Sequence, residues 1–322
     1  MKILLASSIC PKTIKELCEK HDVICAFNVN GEVLRSLIGD REILVFRSGV
    51  RITADLMEKA PHLKLLVRAG SGTDNIDLEY VAKRGFSFFR IAEPGAQAVA
   101  EMSFALMLAL ARNLMQADQL TRRGRWVKEE MIGCSLKGKV LGIIGAGNIG
   151  SRVGQLGAAW GMKPIGCVEH PSLAAAAELR LKGIRLTNFN EVVAQADFLT
   201  VHVPLSETTR NLIDARVLSK VKNGAFLINL ARGGVVDETA LYEHLTNGFR
   251  LQGAALDVHQ HEGEGKVSPL AELSNVILTP HIGAMTLDAQ QEIGRRIRAI
   301  VDAFAGSPAI QDADRAFAAT VL

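Results

Sequence analysis

Uninterrupted runs of apolar residues recur along the chain, and the clearest of them, Val140–Ile144, stops at a glycine-rich stretch. Runs of this length without polar alternation are typical of strands that are buried on both faces of a sheet. Segments of helical character lie between the runs, as at residues 13–20 and after Thr53, which we predict to be a helix N-cap. Strands that alternate with helices predict parallel sheets. The predicted strands are residues 2–6, 43–46, 63–67, 140–144, 163–168, 184–186, 196–205, 225–230, 253–258 and 276–278.

Two longer segments predict helices that join different parts of the chain. Residues 98–120 read as one long helix, and apolar side chains surround its first half. A helix that is apolar on most sides is buried on most sides, so we expect it to connect two domains. Residues 287–304 predict a helix that returns to the first domain. A length of 322 residues also suits two domains better than one, and we expect no further domain after this helix.

The glycine-rich stretch has the spacing of a dinucleotide-binding turn. Gly145, Gly147 and Gly150 follow a predicted strand directly and open a predicted helix. In such a turn the first glycine permits a tight bend, the second admits a pyrophosphate, and the third allows the helix to pack on the strand. The helix N-terminus offers N–H groups to the pyrophosphate, and Glu169 lies about 20 residues on, where a ribose contact is expected. A glycine-rich turn in another kind of α/β unit is the alternative.

Composition and charge exclude several other classes of protein. The 37 basic and 34 acidic residues nearly balance and form no basic block, so we expect no nucleic-acid partner. We predict no signal peptide and no membrane span, because the apolar runs are short or interrupted by polar residues. The five cysteines are an odd number without paired spacing, which favours reduced cytoplasmic thiols over disulfides or a metal site.

Three predicted strand ends in the second half carry side chains suited to chemistry. Arg232 precedes two glycines, Glu262 lies in a loop after Asp257, and His281 follows a proline. A cation, a carboxylate and an imidazole at the carboxyl ends of parallel strands suit hydride transfer to or from a hydroxy acid. By residue type alone, a structural histidine and a loop-packing arginine remain the alternatives. The glycine-rich loop at residues 68–74 also follows a strand and is a second candidate ligand loop.

Several stretches, taken together and in order, resemble the D-isomer-specific 2-hydroxyacid dehydrogenases, and the likeness extends over nearly the whole chain. The loop at 67–77 is most similar to the phosphoglycerate dehydrogenases of that family. The matching stretches are residues 67–77, 136–139, 145–150, 202–205, 229–238 and 280–283.

The resemblance implies a role for each candidate residue. Arg232 would bind the carboxylate and carbonyl oxygen of the substrate, His281 would be the acid and base, and Glu262 would pair with His281 and favour the imidazolium. Arg47 would line the substrate pocket, and the N–H groups of Ser71 and Gly72 would bind the substrate carboxylate.

The resemblance further implies that NAD is the cofactor and that no metal takes part. Asp257 would hold the nicotinamide carboxamide, and Glu169 would favour NAD over NADP by repelling a 2′-phosphate. The predicted cofactor-binding residues are Gly145, Gly147, Asn148, Ile149, Gly150, Glu169, His202, Val203, Pro204 and Asp257.

The sequence departs from the family pattern at a few positions. The acid that usually follows the second cofactor-domain strand falls, without gaps, at Val168, one place before Glu169. Fewer polar side chains than usual before residue 99 favour a substrate other than 3-phosphoglycerate. The other departures are Asn148, His259, Gly263, Gly95 and Ala98.

We therefore expect an α/β protein with two doubly wound parallel-sheet domains. Residues 97–286 would form a Rossmann-like cofactor domain, and residues 1–96 with 287–322 a flavodoxin-like substrate domain. The expected activity is NAD-dependent interconversion of a D-2-hydroxy acid and its 2-oxo acid in a cytoplasmic homodimer, with 3-phosphoglycerate and serine biosynthesis as the first choice. The alternatives are a hydroxypyruvate or glyoxylate reductase and, from another class, a dinucleotide-sensing corepressor.

Overall fold

The computed structural model of the protein describes residues 1–248 and 250–306, so residues 307–322 of the predicted substrate domain lie outside it. Strands and helices alternate along almost all of the described chain, with two additional 3₁₀ turns at Lys128–Glu130 and Pro269–Glu272. In chain order the elements are β1 (Lys2–Leu5), α1 (Pro11–Cys18), β2 (Asp22–Cys25), α2 (Gly31–Leu37), β3 (Ile43–Phe46), α3 (Ala54–Glu58), β4 (Leu65–Arg68), α4 (Leu78–Arg84), β5 (Ser87–Arg90), α5 (Glu93–Ala111), α6 (Leu114–Arg122), β6 (Val140–Ile144), α7 (Asn148–Ala159), β7 (Lys163–Cys167), α8 (Leu173–Leu181), β8 (Arg185–Leu186), α9 (Phe189–Gln195), β9 (Phe198–Val201), α10 (Ala215–Leu218), β10 (Ala225–Asn229), α11 (Glu238–Thr246), β11 (Leu251–Leu256), β12 (Val276–Leu278) and α12 (Leu287–Gly306).

The chain divides into two compact units. The first comprises Met1–Gly95 and the segment that begins at Ala284, and the second comprises Ala96–Gly283. Each unit has its own parallel sheet and its own apolar core.

The first unit is built on a parallel sheet in the strand order β2-β1-β3-β4-β5. Its central strands bury both faces: Ile3 of β1 packs in a core with Ile297 of α12, whereas the next residue, Leu4, packs in the opposite core with Leu56 of α3. This two-sided burial explains why the central strands read as apolar runs without alternation. The strand order is that of the flavodoxin-like folds, which confirms the predicted fold class.

The second unit is built on a parallel sheet in the order β12-β11-β10-β9-β6-β7-β8. Counted from β6, this is the doubly wound order of dinucleotide-binding domains with one further strand, as predicted. The strand order reverses at β6, which is hydrogen-bonded to β7 on one side and to β9 on the other. Ligands of open parallel sheets bind at the carboxyl ends of the strands beside such a reversal, so the glycine-rich turn after β6 stands where a ligand is expected.

The prediction of one helix over residues 98–120 was wrong, because the helix is broken. α5 ends at Ala111, Asn113 takes the left-handed conformation with φ +51°, and α6 begins at Leu114. Asparagine tolerates this conformation better than most residues do. The carbonyl oxygen of Ala111 accepts the N–H of Cys134 (2.8 Å), so a distant segment satisfies the end of α5.

Two strands, β2 and β5, were not predicted, and each lies at an edge of the first sheet. β2 and β5 are only partly buried, whereas every residue of β3 and β4 is buried. An edge strand has one neighbour and carries polar residues, so its apolar signal is weak. The predicted N-cap is confirmed, because Thr53 Oγ1 accepts the N–H of Leu56 (3.3 Å).

α5 is the one helix of the described residues that is long and apolar enough to cross a membrane. More than half of it is buried inside the protein. Core helices of folded proteins meet the same criteria of length and composition.

Candidate active site

The glycine-rich turn after β6 uses each of its glycines for a different physical reason. Gly145 has φ +87°, and a Cβ there would lie 2.7 Å from the carbonyl oxygen of His202. A Cβ on Gly150 would lie 2.2 Å from the carbonyl oxygen of Gly145, so the helix can approach the turn only without a side chain. A Cβ on Gly147 would meet no atom within 4 Å, so this glycine faces open space. The open side of Gly147 fits the close approach of a pyrophosphate.

The N-terminus of α7 completes this cradle. Gly147 is its N-cap residue and supplies no side-chain cap, whereas Ser172 caps the following helix, α8, through its hydroxyl oxygen. The first N–H groups of α7, from Asn148, Ile149 and Gly150, therefore depend on a ligand or solvent for acceptors. A helix N-terminus with its positive dipole end is a suitable site for a phosphate.

The ends of the two neighbouring strands border the turn. The carbonyl oxygen of Cys167, the last residue of β7, accepts the N–H groups of Gly145 (3.1 Å) and Ala146 (2.9 Å). Glu169 follows two residues later and is exposed, which places it beside the turn. On the other side, a Cβ on Gly145 would lie 2.8 Å from Cγ1 of Val203, just after β9. The cofactor contacts predicted for Glu169 and Val203 stay predictions.

His202 lies between β9 and Pro204, and its ring contacts the strand that it follows. Its Nε2 is 2.9 Å from Oγ1 of the buried Thr200, and its Nδ1 is buried without a hydrogen-bond partner among the described residues. Burial lowers the pKa of His202 to about 3, because desolvation disfavours the charged ring. The imidazole is therefore neutral at physiological pH.

His281 and Glu262 lie next to each other, in the pairing that the family resemblance implied. Nδ1 of His281 is 2.9 Å from Oε2 of Glu262, and Oε1 of Glu262 accepts the N–H of His259 (3.2 Å). Burial opposes ionisation of Glu262, but the hydrogen bond and charge of His281 outweigh it and hold the pKa of the carboxyl below its ordinary value. With Nδ1 engaged, Nε2 is the nitrogen of His281 that can exchange a proton with a ligand.

Asp257 supports the turn that carries His281. The carboxylate is 1% exposed; its Oδ1 accepts from Thr279 Oγ1 (2.6 Å) and Ile282 N (2.9 Å), and its Oδ2 from Gly283 N (2.7 Å). His281 itself has φ +56°, a conformation that is costly for a side chain with a Cβ and persists only where its surroundings impose it. A carboxylate has about four acceptor sites, so at most one remains for a nicotinamide carboxamide. Sequence reasoning missed this supporting role.

Arg232 lies in a loop after β10 that a buried amide holds in place. Asn229 is 1% exposed; its Oδ1 accepts the N–H of Ala231 (3.0 Å), and its Nδ2 donates to the carbonyl oxygen of Arg232 (3.1 Å). A Cβ on the next residue, Gly233, would lie 1.8 Å from the carbonyl oxygen of His259. The Arg232 loop is thus pressed against the backbone whose N–H binds Glu262. Asn229 was within a recognised motif, but its residue type alone did not reveal the role.

The remaining predicted residues lie in the first unit. Arg47 directly follows β3, and its guanidinium donates to Oε1 of Gln290 (3.1 Å) and contacts Sδ of Met285 (3.2 Å). These partners are neutral, so the described residues show no ion pair for Arg47, and burial lowers the pKa of its guanidinium. A partly buried cation without a carboxylate partner is suited to an anionic ligand.

Ser71 and Gly72 belong to a loop after β4 that arginines hold by its carbonyl oxygens. Arg68, 3% exposed, donates through Nε to Gly72 O (2.8 Å), and its guanidinium lies 6.0 Å from the ring centre of Phe46. Arg90 donates to Ser71 O (3.3 Å). Because the carbonyl groups are engaged by arginines, the loop's N–H groups are the polar groups it can offer to an anion.

Comparisons with known proteins show what the chain is similar to. The family profile "D-isomer specific 2-hydroxyacid dehydrogenase, NAD binding domain" matches residues 104–283. The chain is 41% identical over 295 residues to a D-3-phosphoglycerate dehydrogenase of Methanocaldococcus jannaschii, covering 91% of this chain and 55% of that protein. It is 38% identical over 263 residues to a hydroxypyruvate reductase of Thermotoga maritima, covering 81% of this chain and 84% of that protein.

A solved structure resembles the chain over almost its whole length. The crystal structure of a D-lactate dehydrogenase from Aquifex aeolicus, complexed with NAD and lactic acid, superposes with a TM-score of 0.84 at 28% identity and covers 97% of both chains. The chain spans about half the length of the phosphoglycerate dehydrogenases that it matches.

Proposed function

Because the chain belongs to the D-isomer specific 2-hydroxyacid dehydrogenase family, with the NAD-binding domain of that family in its second unit, we propose that it interconverts a D-2-hydroxy acid and the matching 2-oxo acid with NAD. The observation that carries the proposal is the 2.9 Å pair of His281 and Glu262 in the same unit as a turn fitted to a pyrophosphate. Residues 1–96 and 287–322 would form the substrate domain and residues 97–286 the cofactor domain.

In this proposal each catalytic side chain has one task. Arg232 binds the substrate carboxylate through its guanidinium. During reduction, His281 gives its Nε2 proton to the oxygen that was the carbonyl oxygen, and during oxidation it takes the hydroxyl proton back. Glu262 binds Nδ1 of His281 and so orients the ring with Nε2 towards the substrate. The bound cofactor would supply the hydride as NADH in the reduction and accept it as NAD⁺ in the oxidation. Asp257 keeps the His281 turn in position.

We propose NAD as the cofactor in preference to NADP. Glu169 is an exposed carboxylate two residues after β7, and it would repel a 2′-phosphate while accepting a hydrogen bond from a ribose hydroxyl. The test is the ratio of kcat/KM for NADH and NADPH, which Glu169→Gln should lower. Glu178→Gln, on an exposed residue of the next helix, is the control. Equal efficiency with both cofactors in the wild type would contradict the role of Glu169.

The best candidate substrate pair is 3-phosphoglycerate and 3-phosphohydroxypyruvate, which would place the enzyme in serine biosynthesis. The unpaired positive charge of Arg47 and the loop of Ser71 and Gly72 support an anionic substrate. The test compares KM for 3-phosphohydroxypyruvate and glyoxylate in Arg47→Ala, with Lys59→Ala, an exposed residue of the same unit, as control. Only the doubly anionic substrate should lose a charge-assisted contact, so only its KM should rise.

A hydroxypyruvate or glyoxylate reductase is the second candidate. It is favoured by the hydroxypyruvate reductase relative, of which the chain covers 84%, compared with 55% of the first phosphoglycerate dehydrogenase. An assay of NADH consumption over a panel of 2-oxo acids separates these substrates. NADH binding without turnover of any 2-oxo acid would instead favour a dinucleotide-sensing protein, such as a corepressor, and overturn the proposed activity.

We also propose a cytoplasmic homodimer that associates through the second unit. The five cysteines are unpaired, which suits a reducing compartment. Large apolar side chains in the 114–132 segment are exposed, with Trp126 at 85% and Ile132 at 81%. Exposed apolar groups of this size are typical of contact surfaces. Sedimentation velocity should find a dimer in the wild type and more monomer in Trp126→Glu.

A further inference from the structure

Glu238 is a buried carboxylate that the proposed mechanism does not use. It is 4% exposed and occupies the first turn of α11, after the N-cap Asp237. Its Oε1 accepts the N–H of Gln260 (2.5 Å), and its Oε2 accepts the hydroxyl of Ser268 (2.7 Å). A carboxylate is costly to bury, so its position depends on these donors and on the positive end of the helix dipole.

The two donors lie at opposite ends of the loop that carries Glu262. All residues from 260 to 267 are exposed, including Val267 at 80%, and the nearest fully buried side chains are Val258 and Leu270. Gly263 and Gly265 add backbone freedom, with φ +126° and +72°. A loop without a buried side chain of its own gains little from packing, so polar contacts must hold its shape.

The same segment that carries Glu238 also carries Arg232. Val235 and Val236 between them are at most 1% exposed, so the segment is anchored in the core. The missing Cβ of Gly233 lets this segment touch the carbonyl of His259, which lies just before the loop. Glu238 therefore ties the exposed loop to the anchored segment of the substrate-binding arginine.

We propose that Glu238 is a positioning residue: by binding both ends of the 260–268 loop, it holds Glu262 against His281. The inference rests on the proposed dehydrogenase function and extends it to a residue that touches neither substrate nor cofactor. Glu238 acts through Glu262. Without the carboxylate oxygens of Glu238, the pair of Glu262 and His281 is loosely held. Arg232, Asp257 and the nucleotide turn keep their own supports.

The test compares two replacements of similar length. Glu238→Met keeps the buried volume but removes both acceptors. Glu238→Gln keeps an acceptor for Gln260 N–H, and its amide group can donate to the Ser268 hydroxyl. We expect Glu238→Met to lower kcat for 2-oxo acid reduction about tenfold or more with little change in the Kd of NADH, and Glu238→Gln to restore most of the loss. Glu243→Met, an exposed glutamate of the same helix, is the matched control and should behave as the wild type.

A double-mutant cycle separates positioning from general destabilisation. In a Glu262→Gln background, Glu238→Met should cost little more activity, because the group that it positions is already altered. Equal losses in both backgrounds, or wild-type activity of Glu238→Met, would overturn the proposal. If Glu238→Met does not fold, Ser268→Ala can replace it, because it removes one of the two hydrogen bonds to Glu238. Ser268→Ala should lower kcat by a smaller factor and should add little to the loss in the Glu262→Gln background. Full activity of Ser268→Ala would overturn the proposal.

Amide hydrogen exchange tests the tether independently of turnover. Exchange of residues 260–268 should be faster in Glu238→Met than in Glu238→Gln or Glu243→Met, with the rest of the second unit unchanged. Unchanged exchange in the loop would overturn the proposal. Faster exchange in an enzyme that reduces no 2-oxo acid would support the tether and count against the proposed function alone.

Discussion

The two units hold the ends of their strands with side chains of opposite charge. In the first unit, Arg68 and Arg90 donate to carbonyl oxygens of the loop after β4. In the second unit, Asp257, Glu238 and Glu262 accept backbone N–H groups at the strand ends. Both arrangements satisfy polar groups of the backbone, the arginines through the carbonyl oxygen and the carboxylates through the N–H group.

The difference in sign matters for what each edge can bind. A loop held through its carbonyl groups presents N–H donors, which are the groups that an anionic ligand needs. In the second unit the carboxylates accept hydrogen bonds, and Glu262 Oε2 lies 2.9 Å from Nδ1 of His281. The nucleotide turn uses neither kind of side chain and relies on glycine packing.

The largest effect is expected when the imidazole of His281, which Glu262 contacts, is removed. His281→Ala removes the proposed acid and base and should lower kcat by about 100-fold or more. The Kd of NADH, measured by fluorescence titration, should barely change. His62→Ala, an exposed histidine of the first unit, is the control. Near-normal turnover of His281→Ala would remove it from the mechanism.

The next largest effects should differ in kind between two glycines of the same turn, Gly150 and Gly147. A Cβ on Gly150 would lie 2.2 Å from a backbone oxygen, so Gly150→Ala should destabilise the protein by about 2 kcal/mol. Gly147 has open space and φ −80°, so Gly147→Ala should preserve the unfolding midpoint but weaken NADH binding about tenfold. Chemical denaturation and NADH titration measure the two effects. Equal NADH affinity of wild type and Gly147→Ala would contradict the pyrophosphate cradle.

A third effect concerns the pH dependence of stability, which His202 of the second unit should influence. The pKa of His202 is lowered from 6.5 to about 3 by burial, so below pH 6.5 the unfolded chain binds a proton that the folded protein excludes. The free energy of unfolding should therefore fall as the pH drops from 6.5 towards 3. At about pH 4.5, the free energy of unfolding should have fallen by about 2 kcal/mol less in His202→Gln than in the wild type. Parallel stability curves for both proteins would show that His202 is not buried in its neutral form.

The smallest effect is expected at Arg68 in the first unit. Arg68→Lys keeps the positive charge but cannot reproduce the divergent hydrogen bonds to Gly72 O and Ala69 O. The KM of the 2-oxo acid should rise severalfold, with kcat and the Kd of NADH little changed. Arg84→Lys, an exposed arginine of the same unit, is the control. A fall in kcat without a change in KM would place the loop in the chemical step.

Much of the fold could be read from local patterns. β3 was predicted with its observed bounds, Ile43–Phe46, because both faces of that strand are buried and its run is wholly apolar. The strand, turn and helix around Gly145 followed from an apolar run that ends at glycines. The break at Asn113 could not be read in the same way. It coincides with a hydrogen bond from Cys134 to Ala111, and neighbouring residues give no sign of that contact.

By itself, the sequence determined which residue types stand at the strand ends, and their motifs were specific enough to indicate the family. Only the tertiary structure decided how those residues are supported. Asp257 meets Ile282 and Gly283 across about 25 positions of chain, and Glu238 meets Ser268 across 30. A carboxylate reads the same in a sequence whether it faces solvent, a ligand or a buried N–H group. Its partner is chosen when distant segments pack together and each buried polar group must find a donor or acceptor.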